Sequence, residues 1–354
     1  RWRSGGSLTL KRLQILLGLL ISAGALYIAL RDVHWREVGD AIREANFVLI
    51  GLAAFLLCGT LYLRALRWRV LFHPLRDISA WHLFGSLNVA YLINNVLPLQ
   101  PGDLGRAYLL SELEGISATR SLSTVIVERI LDVLTLLAIL AFLVPFVDIP
   151  HRARIPAILL AVGVGTVAVV LVLASHRRGF TMRQFDRLLR FAPKRARGKL
   201  TEMLHSALDA FSVLSNPRVA IELAAWSALT WMAVGCVVFT GTEAFGLGIG
   251  FGGALFLLVA TTFGFLVPSS PGAFGVYHAI VIKTLTDVFN IDNNLAVSYA
   301  LVIHLVFYLP PMFIGASFLW VERQLWQRSS FLEKLRSFQG EQQATTPSAP
   351  GTAA

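Results

Sequence analysis

The chain has 354 residues, of which 55% are hydrophobic and only 15% are charged, with 31 Lys and Arg against 21 Asp and Glu. Soluble domains carry about 25% charged residues, and here long apolar blocks alternate with short charged ones. This pattern excludes a soluble globular protein, a disordered chain and a disulfide-stapled mini-domain. The net charge of +10 lies beside apolar blocks, where it faces anionic lipid headgroups or sets topology, so nucleic acid is not an expected partner. We therefore predict an all-α, polytopic integral membrane protein.

Six apolar blocks are long enough to cross a bilayer, because a hydrocarbon core ~30 Å thick needs about 20 helical residues. They lie at about 13–31, 47–71, 118–146, 155–175, 218–242 and 295–320. Four more stretches are shorter or are interrupted by Pro and Gly, at about 81–97, 103–113, 251–267 and 272–289. The first block could be a cleaved secretory signal, but its apolar run continues to Leu30, which favours a retained signal anchor. The sequence thus predicts about six full transmembrane helices and two re-entrant hairpins.

Loop charges orient these helices, since short positive loops stay cytoplasmic. Residues 176–199 carry nine positive side chains against one acid, Asp186, and residues 67–80 are also positive. Parity then places both termini, 67–80 and 176–217 in the cytoplasm, with the protein in the cell (cytoplasmic) membrane. The transmembrane region would span 13–322, preceded by a basic cytoplasmic segment 1–12 and followed by a cytoplasmic tail 323–354. Residues 176–217 have the pattern of an amphipathic helix in the headgroup plane, and the polar composition from about 337 predicts disorder.

An eight-residue pattern occurs twice, as PLQPGDLG at 98–105 and as PSSPGAFG at 268–275. Both segments fit P-x-x-P-G-x-x-G, and the second lies 170 positions after the first. The same offset carries the span at 47–71 onto 217–241 and the span at 118–146 onto 288–316, so the repeated units are about 47–146 and 217–316. Because the two units enter from opposite sides, we predict an inverted-topology repeat, in which broken helices form a substrate site near the bilayer midplane.

The residues of the repeated pattern cannot continue a helix. Pro removes a backbone donor and its ring clashes with the preceding turn, while Gly permits positive φ. Freed backbone groups must face protein or a watery cavity rather than lipid. Two ordinary kinks in full spans are the alternative. The predicted turn residues are Pro98, Pro101, Gly102 and Gly105 in the first unit and Pro268, Pro271, Gly272 and Gly275 in the second.

Four short segments stand in the order found in a known family: 95–98 (NVLP), 102–108 (GDLGRAY), 128–132 (ERILD) and 268–276 (PSSPGAFGV). Over roughly residues 10–322 the chain resembles the lysylphosphatidylglycerol synthase transmembrane-region family, the flippase-like domain. This resemblance implies an integral membrane protein that acts on lipids; in fused bacterial members the region moves an aminoacylated phospholipid between leaflets. Only a low-complexity tail follows Glu322, so aminoacyl transfer is not expected. Family members often have Glu where this chain has His278.

Ionisable side chains inside the predicted spans are the candidate headgroup-binding residues, since such groups usually face the bundle interior. Asp103 and Arg106 share a helix face, and Arg matches phosphate with a planar fork; the alternative is an internal pair that fixes the hairpin. Glu128 and Asp132 also share a face. They form either a proton-coupling site or, with Arg129 neutralising one acid, a structural contact. His278 and Lys283 follow the second break and complete the candidate set.

Other polar residues are expected to have structural roles. We expect Arg64, Arg67 and Arg69 to snorkel to the membrane interface; contact with the substrate is the alternative. His304 and Tyr308, four residues apart in the last span, fit a hydrogen-bonded neutral histidine in the bundle. Asn88, Asn94 and Asn95 are expected to bond across helices or to cap the broken segment. The two cysteines, Cys58 and Cys236, lie in apolar blocks and predict neither a disulfide nor a zinc site.

The predicted function is a lipid transporter or flippase that moves a phospholipid or another phosphate-bearing lipid between leaflets. Two alternatives remain open: a membrane-embedded enzyme that modifies lipid headgroups, and a non-catalytic scaffold for such an enzyme. The sequence has no H-E-x-x-H, no Asp-x-Asp pair and no P-loop, so no catalytic residue, metal or cofactor is predicted. Membrane lipids, anionic or phosphate-bearing, are the expected partners, and a homo-oligomer or a lipid-modifying enzyme partner stays open.

Overall fold

The computed structural model describes residues 33–72, 76–97, 101–143, 216–264 and 270–322, together with 20, 22–27, 29–31, 163 and 166. Within them the helices are α1 (Trp35–Glu44), α2 (Phe47–Val70), α3 (Ala80–Val96), α4 (Gly102–Glu114), α5 (Ala118–Leu143), α6 (Pro217–Ala244), α7 (Gly250–Gly264), α8 (Val276–Phe289) and α9 (Asn293–Val321). Several predictions fall on residues outside these ranges. They concern 1–12, nearly all of 176–217, the tail 323–354, most of the spans at 13–31 and 155–175, and Pro98 and Pro268.

The long helices have the composition of membrane spans. In the described part of the chain, α2, α6 and α9, with 24, 28 and 29 residues, are long and apolar enough to cross a membrane. Helix α5 has 26 residues, but Arg120, Glu128, Arg129 and Asp132 interrupt its apolar character. The chain is therefore an all-helical, polytopic membrane protein, as its sequence predicts.

The order of the helices repeats, and α2 and α3 begin 170 residues before α6 and α7, the same offset as in the sequence pattern. Helices α2, α3 and α4 correspond to α6, α7 and α8, and α5 corresponds to α9. Even the first caps correspond: Asn46 Oδ1 accepts from the backbone N–H groups of Val48 and Leu49, and Asn216 Oδ1 accepts from that of Arg218. A side-chain acceptor at this position satisfies the free donors of a helix start.

Helix contacts follow the same correspondence. The pairs α2–α3, α3–α4 and α4–α5 of the first unit pack as α6–α7, α7–α8 and α8–α9 do in the second. Between the units, α3–α9 corresponds to α7–α5, and α2–α9 corresponds to α6–α5. The most extensive contact joins α2 to its own counterpart α6. Such self-matching contact is the signature of two units related by a two-fold axis.

Helices α2 and α6 run antiparallel. The backbone N–H of Asn46, at the start of α2, donates to the carbonyl of Ala244, at the end of α6, over 2.8 Å. Near the other end of α2, Arg67 Nη1 lies 3.4 Å from Ser227 Oγ in the first half of α6. Because equivalent helices of the two units point in opposite directions, the repeat is inverted, in agreement with the sequence-based prediction.

Each unit contains a hairpin that returns to the side it entered. At the open end of the first, the Glu114 carboxylate at the end of α4 lies 2.6 Å from His82 Nδ1 and accepts from the Ser79 N–H at the start of α3. In the second, the Phe289 ring at the end of α8 packs edge to face against Phe256 in the first half of α7. At ~1.5 Å per residue the four arms are about 20–25 Å long, which is shorter than a ~30 Å hydrocarbon core.

The two hairpins turn by different means. In the first, the N–H of Gly102, which begins α4, donates to Asn94 Oδ1 over 2.6 Å, so Asn94 caps the break as predicted. In the second, a 3₁₀ turn at Pro271–Ala273 precedes α8, and Gly272 and Gly275 have φ of 65° and 89°. Side chains other than Gly adopt such φ values at a cost, which explains the glycines of this turn.

Candidate functional site

Seven charged side chains from α2, α4 and α5 of the first unit meet where this unit packs against α6 of the second. This arginine cluster contains four arginines and three carboxylates: Arg64, Arg67, Arg106 and Arg129, with Asp103, Glu128 and Asp132. With every member ionised the cluster has a net charge of +1. It therefore brings together five of the seven predicted site residues and adds two arginines that were expected elsewhere.

Arg67 bridges the two carboxylates of α5, Glu128 and Asp132. Its Nη1 donates to Asp132 Oδ1 over 2.6 Å and its Nη2 donates to Glu128 Oε1 over 3.1 Å. All three side chains are buried, and Arg67 is fully so. The one guanidinium thus offsets the repulsion of two like charges on one helix face. Arg67 performs the neutralisation that the sequence reasoning assigned to Arg129, whose Nη1 lies 3.7 Å from Asp132 Oδ2.

Arg106, in the first half of α4, is fully buried. Its Nη1 donates to Glu128 Oε2 over 2.9 Å, its Nε lies 3.1 Å from Asp103 Oδ1, and its guanidinium carbon is 4.8 Å from the Trp68 ring centroid. The predicted Asp103–Arg106 pair is therefore present. However, Arg106 Nη2 is buried without a hydrogen-bond partner among the described residues, and an unmade bond to a buried charged group is costly.

Asp103 and Arg129 form the open edge of the cluster. Arg129 donates through both Nε and Nη2 to the two oxygens of Asp103, over 2.8 and 2.7 Å. The Arg129 side chain is 47% exposed and the Asp103 side chain 32% exposed. Arg129 lies eleven residues after the start of α5, about 16 Å along the helix. Charge at such depth requires a hydrated cavity or a polar partner.

Helix α6 of the second unit completes the cluster. Trp231 Nε1 donates to Asp132 Oδ1 over 3.0 Å, and the Arg64 guanidinium lies 4.9 Å from the Trp231 ring centroid. Arg64 is buried and its Nη1 is 4.0 Å from Asp132 Oδ2. The prediction that Arg64 and Arg67 snorkel to the interface is wrong, because counter-charges on α5 draw both guanidiniums into the bundle. Arg69 is partly exposed and pairs with Asp77.

A second group of polar and aromatic side chains surrounds the second turn. We call Phe274, Tyr277, His278, His304 and Tyr308 the histidine–aromatic cluster, since their rings lie 4.6–6.0 Å apart. His304 Nε2 lies 3.0 Å from the Gly272 carbonyl, and His304 Nδ1 lies 3.4 Å from His278 Nε2. A carbonyl only accepts, so His304 Nε2 carries a proton.

The two hairpin turns meet at Tyr308, near the middle of α9. Its hydroxyl donates to the Asn95 carbonyl at the end of α3 over 3.3 Å, and Asn95 Nδ2 lies 3.5 Å from the Tyr308 carbonyl. On its other side the Tyr308 ring contacts Phe274 of the second turn. Asn95 therefore bonds across helices as expected. Asn88, in contrast, donates to the Phe84 carbonyl within its own helix.

Lys283 lies apart from both clusters. Its Nζ pairs with Asp287 over 2.6 Å, and both side chains are largely exposed on α8. The i, i+4 spacing of these two residues is the sequence signal for this surface pair. His278 is buried beside His304, so the structure separates these two predicted site residues from the arginine cluster and from each other.

Four residues of the site were missed or given another role from sequence: Arg64, Arg67, Trp68 and Trp231. Arg67 and Arg64 have a readable signal, because they are three positions apart and therefore share one helix face. The tryptophans have none, since an indole in an apolar span is usual in a membrane helix. Among the described residues, no group of His, Cys, Asp and Glu is arranged to hold a metal ion.

Comparison with known proteins gives a family and two relatives. The chain is 28% identical over 281 residues to a UPF0104 membrane protein of Methanothermobacter thermautotrophicus. The aligned region covers 75% of this chain and 82% of that protein. It is 29% identical over 128 residues to Glycosyltransferase AglD of Haloferax volcanii, covering 36% of this chain but a fifth of that protein. The family described as the lysylphosphatidylglycerol synthase TM region matches residues 15–315. The chain is thus a membrane protein that belongs to the lysylphosphatidylglycerol synthase TM region family.

Proposed function

We propose that this protein moves a phosphate-bearing lipid between the two leaflets of the cell membrane. The observation that carries this proposal is the meeting of two oppositely directed hairpins at Tyr308, in a protein whose first hairpin also contributes to a buried cluster with an excess of arginine. Inverted repeats with broken helices build substrate sites of this kind in transporters. An arginine fork is the side chain best matched to phosphate oxygens.

The open edge of the arginine cluster supports a headgroup as the substrate. Arg129 combines a charged fork with 47% side-chain exposure, while the buried members behind it hold their positions through ion pairs. A lipid phosphate at this edge would bring its own negative charge to a cluster whose net charge is +1. Its acyl chains would remain beside apolar helix surfaces, so the headgroup alone has to enter the bundle.

Leaflet exchange in liposomes tests the proposal. Purified full-length protein is reconstituted with fluorescent phosphatidylglycerol, and an impermeant reductant then bleaches the label in the outer leaflet only. We expect wild-type protein to expose the inner-leaflet label, whereas protein-free liposomes retain it. The Arg129→Ala variant should lose most of the exchange, while the matched variant Arg69→Ala, which removes an arginine paired with Asp77 outside the cluster, should keep it.

The same liposomes separate transport from enzymatic activity. Mass spectrometry of the recovered lipid should find its mass unchanged after exchange. A changed headgroup mass would instead favour an enzyme that modifies lipids; the Haloferax relative is named a glycosyltransferase. If the liposomes show no exchange and the lipid mass does not change, both functions are contradicted and a scaffold is favoured.

A further inference from the structure

The three carboxylates of the arginine cluster are not equivalent. Glu128 and Asp132 are buried, and each is fixed by partners on two or more helices: Arg67 and Arg106 for Glu128, and Arg67 and Trp231 for Asp132. Asp103 is one-third exposed and lies in the first turn of α4, directly after the hairpin break. Of the three carboxylates, Asp103 is the one that can rotate out of the cluster without moving a buried carboxylate away from its partners.

Asp103 occupies the position that suits a phosphate. Both of its oxygens accept from the Arg129 fork, and Oδ1 also lies 3.1 Å from Arg106 Nε. Arginine forks bind carboxylate and phosphate in the same bidentate geometry. The position also lies at the start of a 13-residue helix, where the helix dipole favours negative charge. In addition, Arg106 Nη2 is buried beside it without a hydrogen-bond partner among the described residues.

We infer that the Asp103 carboxylate is a displaceable stand-in for the substrate phosphate: a phosphodiester lipid binds by replacing it on Arg129 and Arg106. This inference rests on the proposed function and specifies its substrate class and its bound state. When Asp103 rotates away, the four arginines face Glu128 and Asp132 alone, and the net charge of the remaining cluster is +2. A phosphodiester, with one negative charge, restores the value of +1 that the cluster has in this structure.

The exchange of one anion for another also gives the carboxylate a role in release. A phosphate bound to an open arginine pair in a low-dielectric site would leave slowly, because no counter-charge replaces it. Asp103 returns to the fork as the lipid departs, so neither state of the site leaves Arg129 unpaired. Asp103 is thus a positioning residue that sets lipid affinity, whereas Arg129 contacts the phosphate.

The test measures lipid binding rather than transport. Purified full-length protein in detergent is titrated with short-chain phosphatidylglycerol, and bound lipid is counted by native mass spectrometry. Asp103→Asn removes the competing charge and should tighten binding about tenfold. Asp103→Ser, which keeps a small polar side chain in the first helical turn, is measured alongside in case the amide disturbs folding. Arg129→Ala should weaken binding at least as much, and Arg129→Lys should retain part of it because Lys cannot form the fork.

Asp77→Asn is the matched control. Asp77 accepts from both Nε and Nη2 of Arg69 outside the cluster, so its loss changes the same charge without opening the proposed site, and binding should not change. Unchanged or weaker binding in both Asp103 variants, with wild-type exchange intact, would overturn this inference and leave the transport function standing.

Two further titrations distinguish a lipid headgroup from free phosphate as the ligand. Inorganic phosphate alone should bind the Asp103 variants far more weakly than phosphatidylglycerol, and diacylglycerol, which lacks phosphate, should not respond to the substitutions. Equal tightening for inorganic phosphate would assign the site to free phosphate and contradict a lipid substrate. Tighter phosphatidylglycerol binding in Asp103→Asn without any exchange by wild-type protein would reject transport but preserve the displaced carboxylate.

Discussion

The two hairpins share their turn pattern and their helix plan, yet the side chains beside them differ in chemistry. The first unit places Arg67, Arg106, Glu128 and Asp132 in the arginine cluster, and the corresponding positions of the second unit hold Val237, Val276, Ser298 and Val302. Val237 and Val276 are buried in the bundle, and Val302 is partly buried against the same apolar core. One architecture is therefore built once around charges and once around apolar side chains.

This difference indicates what the charges are for. Replacing a buried ion pair by well-packed apolar residues is often neutral or stabilising, and the second unit shows that this fold accepts valine at three of the four equivalent positions. The arginine cluster is thus not needed to form the hairpin. Its presence in one unit supports our proposal of a ligand that needs arginine, which would meet the cluster at the exposed Asp103–Arg129 edge.

The reverse asymmetry holds at the second turn. The positions of His278, His304 and Tyr308 correspond to Tyr108, Leu134 and Ala138 in the first unit. The histidine–aromatic cluster supports a turn with three positive φ values, at Gly272, Ala273 and Gly275, through the bond between His304 and the Gly272 carbonyl. The first turn needs no such support from α5, because Asn94 caps it from within the hairpin.

The largest expected effect on stability comes from removing a charge from the arginine cluster of the first unit. Arg67→Ala leaves Glu128 and Asp132 buried without their shared partner, which should cost about 3–5 kcal/mol of unfolding free energy. Val237→Ala, at the equivalent position of the second unit, removes two buried carbons and should cost roughly 2 kcal/mol. Unfolding in mixed detergent micelles measures both. Equal losses would mean that the Arg67 ion pairs contribute no more than apolar packing does.

The glycines of the two turns should differ in a similar way. Gly275 has a φ of 89°, and an added Cβ would clash with the backbone oxygen of Ser22, so Gly275→Ala should destabilise by about 2–3 kcal/mol. A Cβ on the equivalent Gly105 would meet the end of the Ile93 side chain, which can move. Gly105→Ala should therefore be close to neutral in the same unfolding assay, and a large loss there would contradict the packing of the first turn.

A smaller effect is expected at the indole that joins the units. Trp231→Phe removes a hydrogen bond to the Asp132 carboxylate, and a bond to a charged group contributes about 1.5–3 kcal/mol. Trp68→Phe removes a bond to the neutral Thr124 hydroxyl, for which about 1 kcal/mol is expected. If Trp231→Phe cost less than Trp68→Phe in thermal unfolding, the second unit would contribute little to the arginine cluster.

The sequence is sufficient to predict the repeat and its helices, because apolar block length and Pro-Gly breaks are local properties. The predicted blocks at 47–71, 81–97, 103–113 and 218–242 end within two residues of α2, α3, α4 and α6. The last stretch of the second hairpin is the exception. The prediction of 272–289 begins too early, since Gly272 and Gly275 at positive φ delay the start of α8 until Val276.

The partners within the site are harder to predict. Glu128 and Asp132 are readable as a pair from their spacing, but Arg67 lies 61 residues away from Glu128 and reaches it only through the packing of α2 against the bundle. Three arginines at the end of an apolar span are equally consistent with snorkelling. Which of these arginines point into the bundle depends on where the counter-charges of another helix lie. A single sequence does not show how the two helices are aligned against each other.

The inverted orientation of the two hairpins is the central claim, and cysteine accessibility tests it most directly. With Cys58 and Cys236 replaced, single cysteines are placed at the open ends of the hairpins, at Arg76 and Arg120 for the first and at Glu243 and Asp287 for the second; all four positions are exposed. An impermeant thiol reagent added to intact cells should label positions 243 and 287. It should label positions 76 and 120 only after permeabilisation, since positive loops are cytoplasmic. Labelling of positions 76 and 243 from the same side would contradict the inverted repeat.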